Sequence, residues 1–352
     1  MAAAPMRDGE MGTRRRKRKC RFCGREAEVF VRQANLPLCE EHFLAWFERR
    51  VERTIKRYKL ILPGERVLVA VSGGKDSSAL LCVLKVLSDR MGFEVAALTL
   101  DLGITANFYS AASVKAASEV AKGLGVEHYV VSIKERYGFT LDEAVGVDRR
   151  PPCSLCGLIK RYALTDVARE LGFDALATGH TLDDMARFLL ACYMSAALSE
   201  LVRLTPISPS ELPGVPKRVK PFYESFEEHI KLYADLKGLP YLADGCPYAA
   251  TAPSDRLRTF LDQVEHESPG TKHAMVRGYV KHIRPALAAY LADKLPPARP
   301  CSLCGMPSSG QVCAFCRLRE KVLKRPRQTL IKSRGSQAAG SREEGGFGRG
   351  HG

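Results

Sequence analysis

Ten of the twelve cysteines in this 352-residue chain fall into three groups. Cys20-x-x-Cys23, a gap of fifteen residues and Cys39-x-x-His42 supply four soft ligands in two close pairs. Closed tetrahedral zinc sites want this number and kind of donor. Cys301-x-x-Cys304 and Cys313-x-x-Cys316, separated by an eight-residue loop, make a second such set. Neither set leaves a coordination position open, so both are expected to be structural. Zinc would supply much of the stability of modules this poor in apolar residues. The third group differs. Pro151-Pro152-Cys153-Ser154-Leu155-Cys156-Gly157 offers two thiols just ahead of an expected helix. Their spacing fits a redox pair, half of a zinc site shared between chains, or a cluster site. Cys246 lies about ninety residues further on, and nothing in the spacing selects it as a third ligand over a buried thiol. Cys82 and Cys192 stand alone in apolar helical stretches, as small core residues would.

A second chemical signal is Val69-Ala70-Val71-Ser72-Gly73-Gly74-Lys75-Asp76-Ser77-Ser78. An apolar strand ends at Ser72, two glycines follow, and a helix is expected to start near Ser77. Glycines let the backbone close on an anion, and the N–H groups of a helix start point toward it. Ser72 and Ser77 add hydroxyl donors. Asp76 is placed to cap the helix or to act near Mg2+. The G-x-x-x-x-G-K-[ST] pattern of a Walker loop is absent, and a plain Gly-Gly turn between strand and helix has the same local look.

These residues need a scaffold, and the hydrophobic pattern supplies one. Strands are predicted at Arg66–Val71, Glu94–Leu100, Glu127–Ser132 and Ala175–Thr178. Helices are predicted across Ser77–Arg90, Ser110–Gly123, Leu158–Leu171 and from Asp183 onward. The alternation implies an α/β fold with a doubly wound parallel sheet, whose ligands sit beyond the carboxyl ends of the strands. Pro206–Pro221 is expected to be a loop or lid, and residues 226–295 helical. The predicted organisation is a disordered basic arm over 1–19 and a zinc module with its helix over 20–60. A catalytic domain over 61–295, a second zinc module over 296–325 and a disordered tail over 326–352 follow.

Fifty-four Lys and Arg against 39 Asp and Glu leave a formal charge of +15. That balance suits a polyanionic partner, although a solvated basic surface would give it too. No apolar run approaches the ~20 residues that cross a bilayer, and no apolar stretch follows the basic amino-terminal residues as in a secretory signal. A cytoplasmic protein with reduced thiols is expected, with no membrane partner.

Ser72-Gly73-Gly74-Lys75-Asp76-Ser77 resembles the PP-loop of ATP pyrophosphatases, which adenylate a carbonyl oxygen and release pyrophosphate. Thr178-Gly179-His180-Thr181-Leu182-Asp183-Asp184 resembles that family's T-G-H-N-x-D-D segment, with Thr181 where Asn is usual. Gly179 would let a nucleotide lie against the backbone. Asp184 is a candidate general acid/base or Mg2+ contact, and one of Asp183 and Asp184 is expected to cap the following helix. With both zinc modules, Cys153-x-x-Cys156-Gly157 and Cys246-Pro247, the chain from Cys20 to about Arg319 resembles the tRNA 2-thiouridine synthetases. These are the enzymes of the thiouridine synthetase A and cytosolic thiouridylase subunit 1 type.

The resemblance implies an ATP-dependent tRNA-uridine 2-sulfurtransferase. Ala70, Val71, Ser72, Asp76 and Leu100 would hold ATP, Leu100 through its backbone, and Gly179 would complete the pocket. Lys160, one helical turn beyond Cys156, would face both the α-phosphate and the cluster. Cys153, Cys156 and Cys246 would hold a [4Fe–4S] cluster with one iron free of protein ligands, from which sulfide replaces the adenylated uridine O2. The implied partners are tRNA, a ubiquitin-like sulfur carrier with a C-terminal thiocarboxylate, and a second copy of the chain. Three alternatives stand beside this: the same adenylation with a persulfide on Cys153 or Cys246, a lysidine synthetase, and a non-catalytic zinc-containing RNA-binding protein.

Overall fold

The computed structural model describes residues 18–249, 255–294 and 297–324. Most of the expected basic arm and the tail over 326–352 lie outside them.

A hairpin of β1 (Val29–Val31) and β2 (Leu36–Leu38) leads into α1 (Glu40–Tyr58). The central unit then alternates: β3 (Arg66–Ala70), α2 (Lys75–Met91), β4 (Glu94–Asp101), α3 (Tyr109–Gly123) and β5 (Glu127–Ser132). Short helices α4 (Ile133–Tyr137) and α5 (Leu141–Val145) precede the long α6 (Pro152–Glu170). After β6 (Ala175–Ala177) come α7 (Leu182–Met194) and α8 (Leu198–Leu201). Where a loop or lid was expected over Pro206–Pro221, two strands extend the sheet, β7 (Ile207–Ser208) and β8 (Lys217–Val219). They are too short to show a period of two against the surrounding prolines. Helices α9 (Glu227–Leu236), α10 (Asp255–Glu267), α11 (Thr271–Gly278) and α12 (Arg284–Leu291) follow. A second hairpin, β9 (Arg299–Pro300) and β10 (Pro307–Ser308), and α13 (Ala314–Leu323) complete the described chain.

The six-stranded sheet runs β5-β4-β3-β6-β8-β7 and is parallel except for the edge strand β7. Strand alternation divides its side chains between two cores. Val67, Val69, Ala97, Ala177 and Val219 pack with α2, α3, α9 and α1 on one face. Leu68, Ala96, Leu98 and Leu176 pack under Val167 and Ala168 of α6 on the other.

The chain winds outward from β3 to β5, then returns to place β6 on the opposite side of β3. The carboxyl ends of β3 and β6 therefore form the switch point where open α/β sheets bind ligands. Ser72–Gly74 leaves one end, and Thr178–His180 leaves the other.

The two cysteine modules sit on opposite faces. Cys20, Leu38 and Cys39 join the α1/α2/α9 core. Cys301, Cys313 and Phe315 join Leu155, Ile159 and Ala163 of α6. Phe315 stacks on Tyr162 with ring centroids 3.7 Å apart and planes within 5°.

Candidate functional site

The loop after β3 is held from three sides. Val71 donates its N–H to the Leu98 carbonyl at 2.8 Å, and Ser113 of α3 donates its hydroxyl to the Ser72 carbonyl at 2.5 Å. Leu242 donates its N–H to the Gly73 carbonyl at 2.8 Å. Gly73 sits at φ +75°, and a Cβ there would lie 2.4 Å from the Ser113 carbonyl oxygen, so conformation and close approach both require glycine. Ser77 accepts from the Ser72 N–H at 3.1 Å and donates to the Gly74 carbonyl at 3.0 Å. No side chain caps α2 at Gly74, so its first N–H groups point out over the loop. A Cβ on Gly179 would come within 3.4 Å of the Asp76 backbone. Thus Gly179 brings the end of β6 against the start of α2. Ala70 is paired with Leu98, and Leu100 lies two residues past that last β3–β4 pair, at the mouth of the crevice.

Around this loop the carboxylates divide their work. Asp76 lies in the first turn of α2 and does not cap it; Lys75 Nζ donates to its Oδ2 at 3.0 Å and to Glu227 Oε1 at 2.5 Å. Burial pushes the Asp76 carboxyl up to about 6, against the pull of Lys75. The cap of α7 is Thr181, not either aspartate. Its hydroxyl accepts from the Asp184 N–H at 3.1 Å while Asp184 Oδ2 accepts from the Thr181 N–H at 3.1 Å. Threonine and asparagine are both good caps, which explains why Thr181 is compatible with the position. Asp183 is a scaffold residue, accepting from the Glu227 N–H at 2.7 Å and from Lys272 Nζ at 2.6 Å. Asp184 Oδ1 accepts from the Arg187 guanidinium at 3.3 Å, and the Asp184 charge adds to that of Glu227 in raising Asp76.

The CxxC thiols lie within the first turns of α6 rather than ahead of it, because Pro152 occupies the helix start, where its missing N–H costs nothing. Cys246 is brought back to them by the segment after α9. That segment is pinned by Leu242 on Gly73 and by Tyr248, whose hydroxyl donates to Asp142 Oδ1 at 2.8 Å. The Cys153 thiol lies 3.8 Å from the Tyr248 carbonyl. Burial raises the Cys156 thiol, Lys160 opposes that, and Cys246 and Cys153 add to it as neighbouring charges. Spacing alone leaves this meeting open; the fold makes it. Among the other cysteines, Cys82 is buried with its sulfur 3.8 Å from the Tyr233 hydroxyl, whereas Cys192 is only partly covered.

The four-ligand sets are tighter. Zn–S bonds of about 2.3 Å place two sulfurs of one tetrahedron about 3.8 Å apart. Cys23 and Cys39 sulfurs are 3.7 Å apart, Cys304 and Cys313 3.8 Å, and Cys301 and Cys316 4.0 Å. His42 Nδ1 is 3.0 Å from the Cys39 sulfur. All donor atoms of each set lie within 4.8 Å of one another; Cys153, Cys156 and Cys246 do not form so tight a group. Three thiols at wider spacing suit ligation of separate irons in one cluster better than a single ion.

Residues 45–265 match a family model described as a PP-loop domain. Residues 19–44 match one described as the N-terminal LIM domain of the 2-thiouridine synthetase TtuA. Over 312 residues the chain is 42% identical to the tRNA-5-methyluridine(54) 2-sulfurtransferase of Thermus thermophilus, covering 89% of this chain and 94% of that protein. The chain belongs to the tRNA 2-thiouridine synthetase family. The Pyrococcus horikoshii protein of the same name is 43% identical over 299 residues, 85% of this chain and 93% of its own. Among solved structures, the U34-tRNA thiolase NcsA from Methanococcus maripaludis with its [4Fe-4S] cluster matches with a TM-score of 0.67 and 30% identity. That match covers 75% of this chain and 87% of NcsA. Members of this family share the PP-loop fold found here. No described helix is long and apolar enough to cross a membrane.

Proposed function

We propose that this chain uses ATP to replace O2 of a tRNA uridine with sulfur. What supports the proposal is that Cys156 and Cys246 pack in one cluster, with Cys153 and Lys160 acting on Cys156, and that the segment leading to Cys246 is tied by Leu242 to Gly73 of the Ser72–Ser77 loop. The loop and the first turn of α2 would take the β- and γ-phosphates, with Ser72 and Ser77 hydroxyls and backbone N–H groups as donors. Ala70, Val71, Leu100 and Gly179 would line the nucleoside side. Asp76 and Asp184, near enough for one charge to act on the other, would be the carboxylates that hold Mg2+. Lys160 would balance charge on the α-phosphate while uridine O2 attacks it and pyrophosphate leaves. Asp184 would handle a proton or the metal near that oxygen as sulfide adds at C2 and AMP departs with the oxygen. When bound by Cys153, Cys156 and Cys246, a [4Fe–4S] cluster would supply a soft site for sulfide at an iron that no protein thiol holds. The two four-ligand sets would each hold Zn2+.

Relatives at 42% and 43% identity are named for 5-methyluridine 54, whereas the NcsA structure at 30% is named for U34. That contrast favours the uridine at position 54. A ubiquitin-like thiocarboxylate would deliver the sulfur, and the chain would work as a homodimer. Exposed Tyr193 and Met194 at the end of α7 are apolar side chains suited to a subunit contact.

Pyrophosphate release from ATP, measured with and without tRNA on anaerobically purified protein, tests the adenylation half. Release that requires tRNA is expected, from brown protein containing iron and sulfide. No release from wild type would leave a non-catalytic RNA binder. Colourless protein active without iron would put a persulfide in place of the cluster.

A further inference from the structure

The nucleotide loop and the thiols account for activation and sulfur supply but not for how a polyanion is held over them. Strands β6 and β8 pair Leu176 with Arg218 and Ala177 with Val219. Leu176 packs beneath α6 and Val219 on the opposite face, so strand alternation puts Arg218 on the α6 face. Lys220, two residues on, emerges at the carboxyl end of β8 on that same face. Arg161 arrives from α6, its guanidinium folded against the backbone of Gly157, 3.3 Å from where a Cβ there would stand. His180, at the end of β6, feels all three: burial holds its imidazole down to about 4 against the pull of Asp184, and Lys220, Arg161 and Arg218 push the same way as burial.

Among the described residues, no ion pair joins Arg161, Arg218 or Lys220 to a carboxylate. Lys220 Nζ donates instead to the Thr205 carbonyl at 2.6 Å, and Glu211 approaches Arg218 only as a distant charge. Lys217, at the other end of the same strand, makes a 2.6 Å ion pair with Glu65. Arg218 and Lys220 are partly buried beside the exposed Arg161, and charge buried without a paired anion costs free energy that a bound polyanion would offset.

We infer that Arg161, Arg218 and Lys220 form a phosphate-binding site for the tRNA backbone beside the reacting uridine. The inference rests on tRNA being the substrate. The alternative source of phosphate, ATP, is disfavoured by position. With strands about 4.8 Å apart, β8 lies two strands or roughly 10 Å across the sheet from the β3 loop that would take the triphosphate. That is a reach suited to the nucleotide flanking a base turned toward the switch point.

The test uses full-length Arg161→Gln and Arg218→Gln, with tRNA affinity measured across a salt series without ATP, and KM for ATP measured separately. Each variant should bind tRNA about tenfold more weakly, with the slope of log affinity against log salt reduced by about 1. KM for ATP should stay within about twofold, and Arg218→Lys should restore the slope. Wild-type affinity and slope in both variants would overturn the inference, as would a rise in KM for ATP with tRNA binding intact. Arg161 lies on the exposed side of α6, so Arg161→Gln alone decides between these outcomes if Arg218→Gln fails to fold. Wild-type protein that binds no tRNA would sink the thiolation proposal as well, whereas normal wild-type binding and turnover with unaffected variants would sink only this site.

Discussion

The outlying cysteine modules and the central thiols use the same atom in opposite ways. In the modules, local backbone prepares sulfur for a metal. Cys313 donates its N–H to the Cys301 sulfur at 3.2 Å, and Cys316 donates to the Cys313 sulfur at 3.4 Å. Although burial opposes ionisation, such N–H groups draw Cys301 and Cys20 down to about 6, while burial and neighbouring thiols hold Cys39, Cys313 and Cys316 up, so one thiol of each module ionises readily. Each module is thus a closed site written in a short stretch of chain. The central thiols come from two distant segments, and burial raises Cys156 against the pull of the Lys160 side chain. Closed sites favour permanence; the central one keeps room for chemistry.

The sharpest way to break this contrast is Cys246→Ala. Thiolation should be abolished while zinc content stays at two per chain, read by nucleoside analysis and metal analysis on the same preparation. Equal loss of zinc would show that the central and outer cysteines are not independent. Next in size is Phe315→Ala, which removes the ring stacked on Tyr162 of α6. A loss of about 3 kcal/mol or more is expected in denaturant unfolding, with lower thiolation because α6 also carries Cys153 and Cys156.

The amino-terminal side is fastened by charge instead. Glu224 is buried and accepts from Arg57 at 2.6 Å, Arg277 at 2.7 Å and the Tyr58 hydroxyl at 2.8 Å, tying α1 to α11. Burial opposes ionisation, but these donors hold Glu224 down to about 2 from an ordinary 4.5. A depressed carboxyl stabilises the fold fully above its unfolded value and loses that contribution as pH falls toward the folded one. Glu224→Gln should therefore cost about 3 kcal/mol at neutral pH, with the difference from wild type fading between about pH 4.5 and 2. A gap that persists at the acid end would mean shape rather than charge holds this joint.

Smallest is the cap of α7. Thr181→Ala should cost about 1 kcal/mol, and Thr181→Asn close to nothing, by thermal unfolding. Substantial loss with Asn would point to a role for the hydroxyl beyond capping.

Much of the scaffold was legible because runs of β-branched and apolar residues, bounded by turns and alternating with helices, carry a strong pattern. Glu127–Ser132 begins and ends where expected, and Arg66–Ala70 differs by one residue. The four-ligand sets were legible because their ligands are neighbours in the chain. Three features were not. Strands β7 and β8 are two and three residues long, below any readable period. Cys246 reaches the CxxC pair through Leu242, Gly73, Tyr248 and Asp142, contacts that no spacing announces. Arg218 and Lys220 fall in the proline-rich stretch Pro206–Pro221, and it is the β6–β8 register that puts them on the α6 face.

The central claim is that one crevice both activates an oxygen and supplies the sulfur that replaces it. Mass spectrometry of nucleosides from tRNA treated with anaerobic protein, ATP and sulfide tests it directly. A 2-thiolated uridine should appear in step with AMP. Pyrophosphate and AMP formed without any thionucleoside would contradict the account.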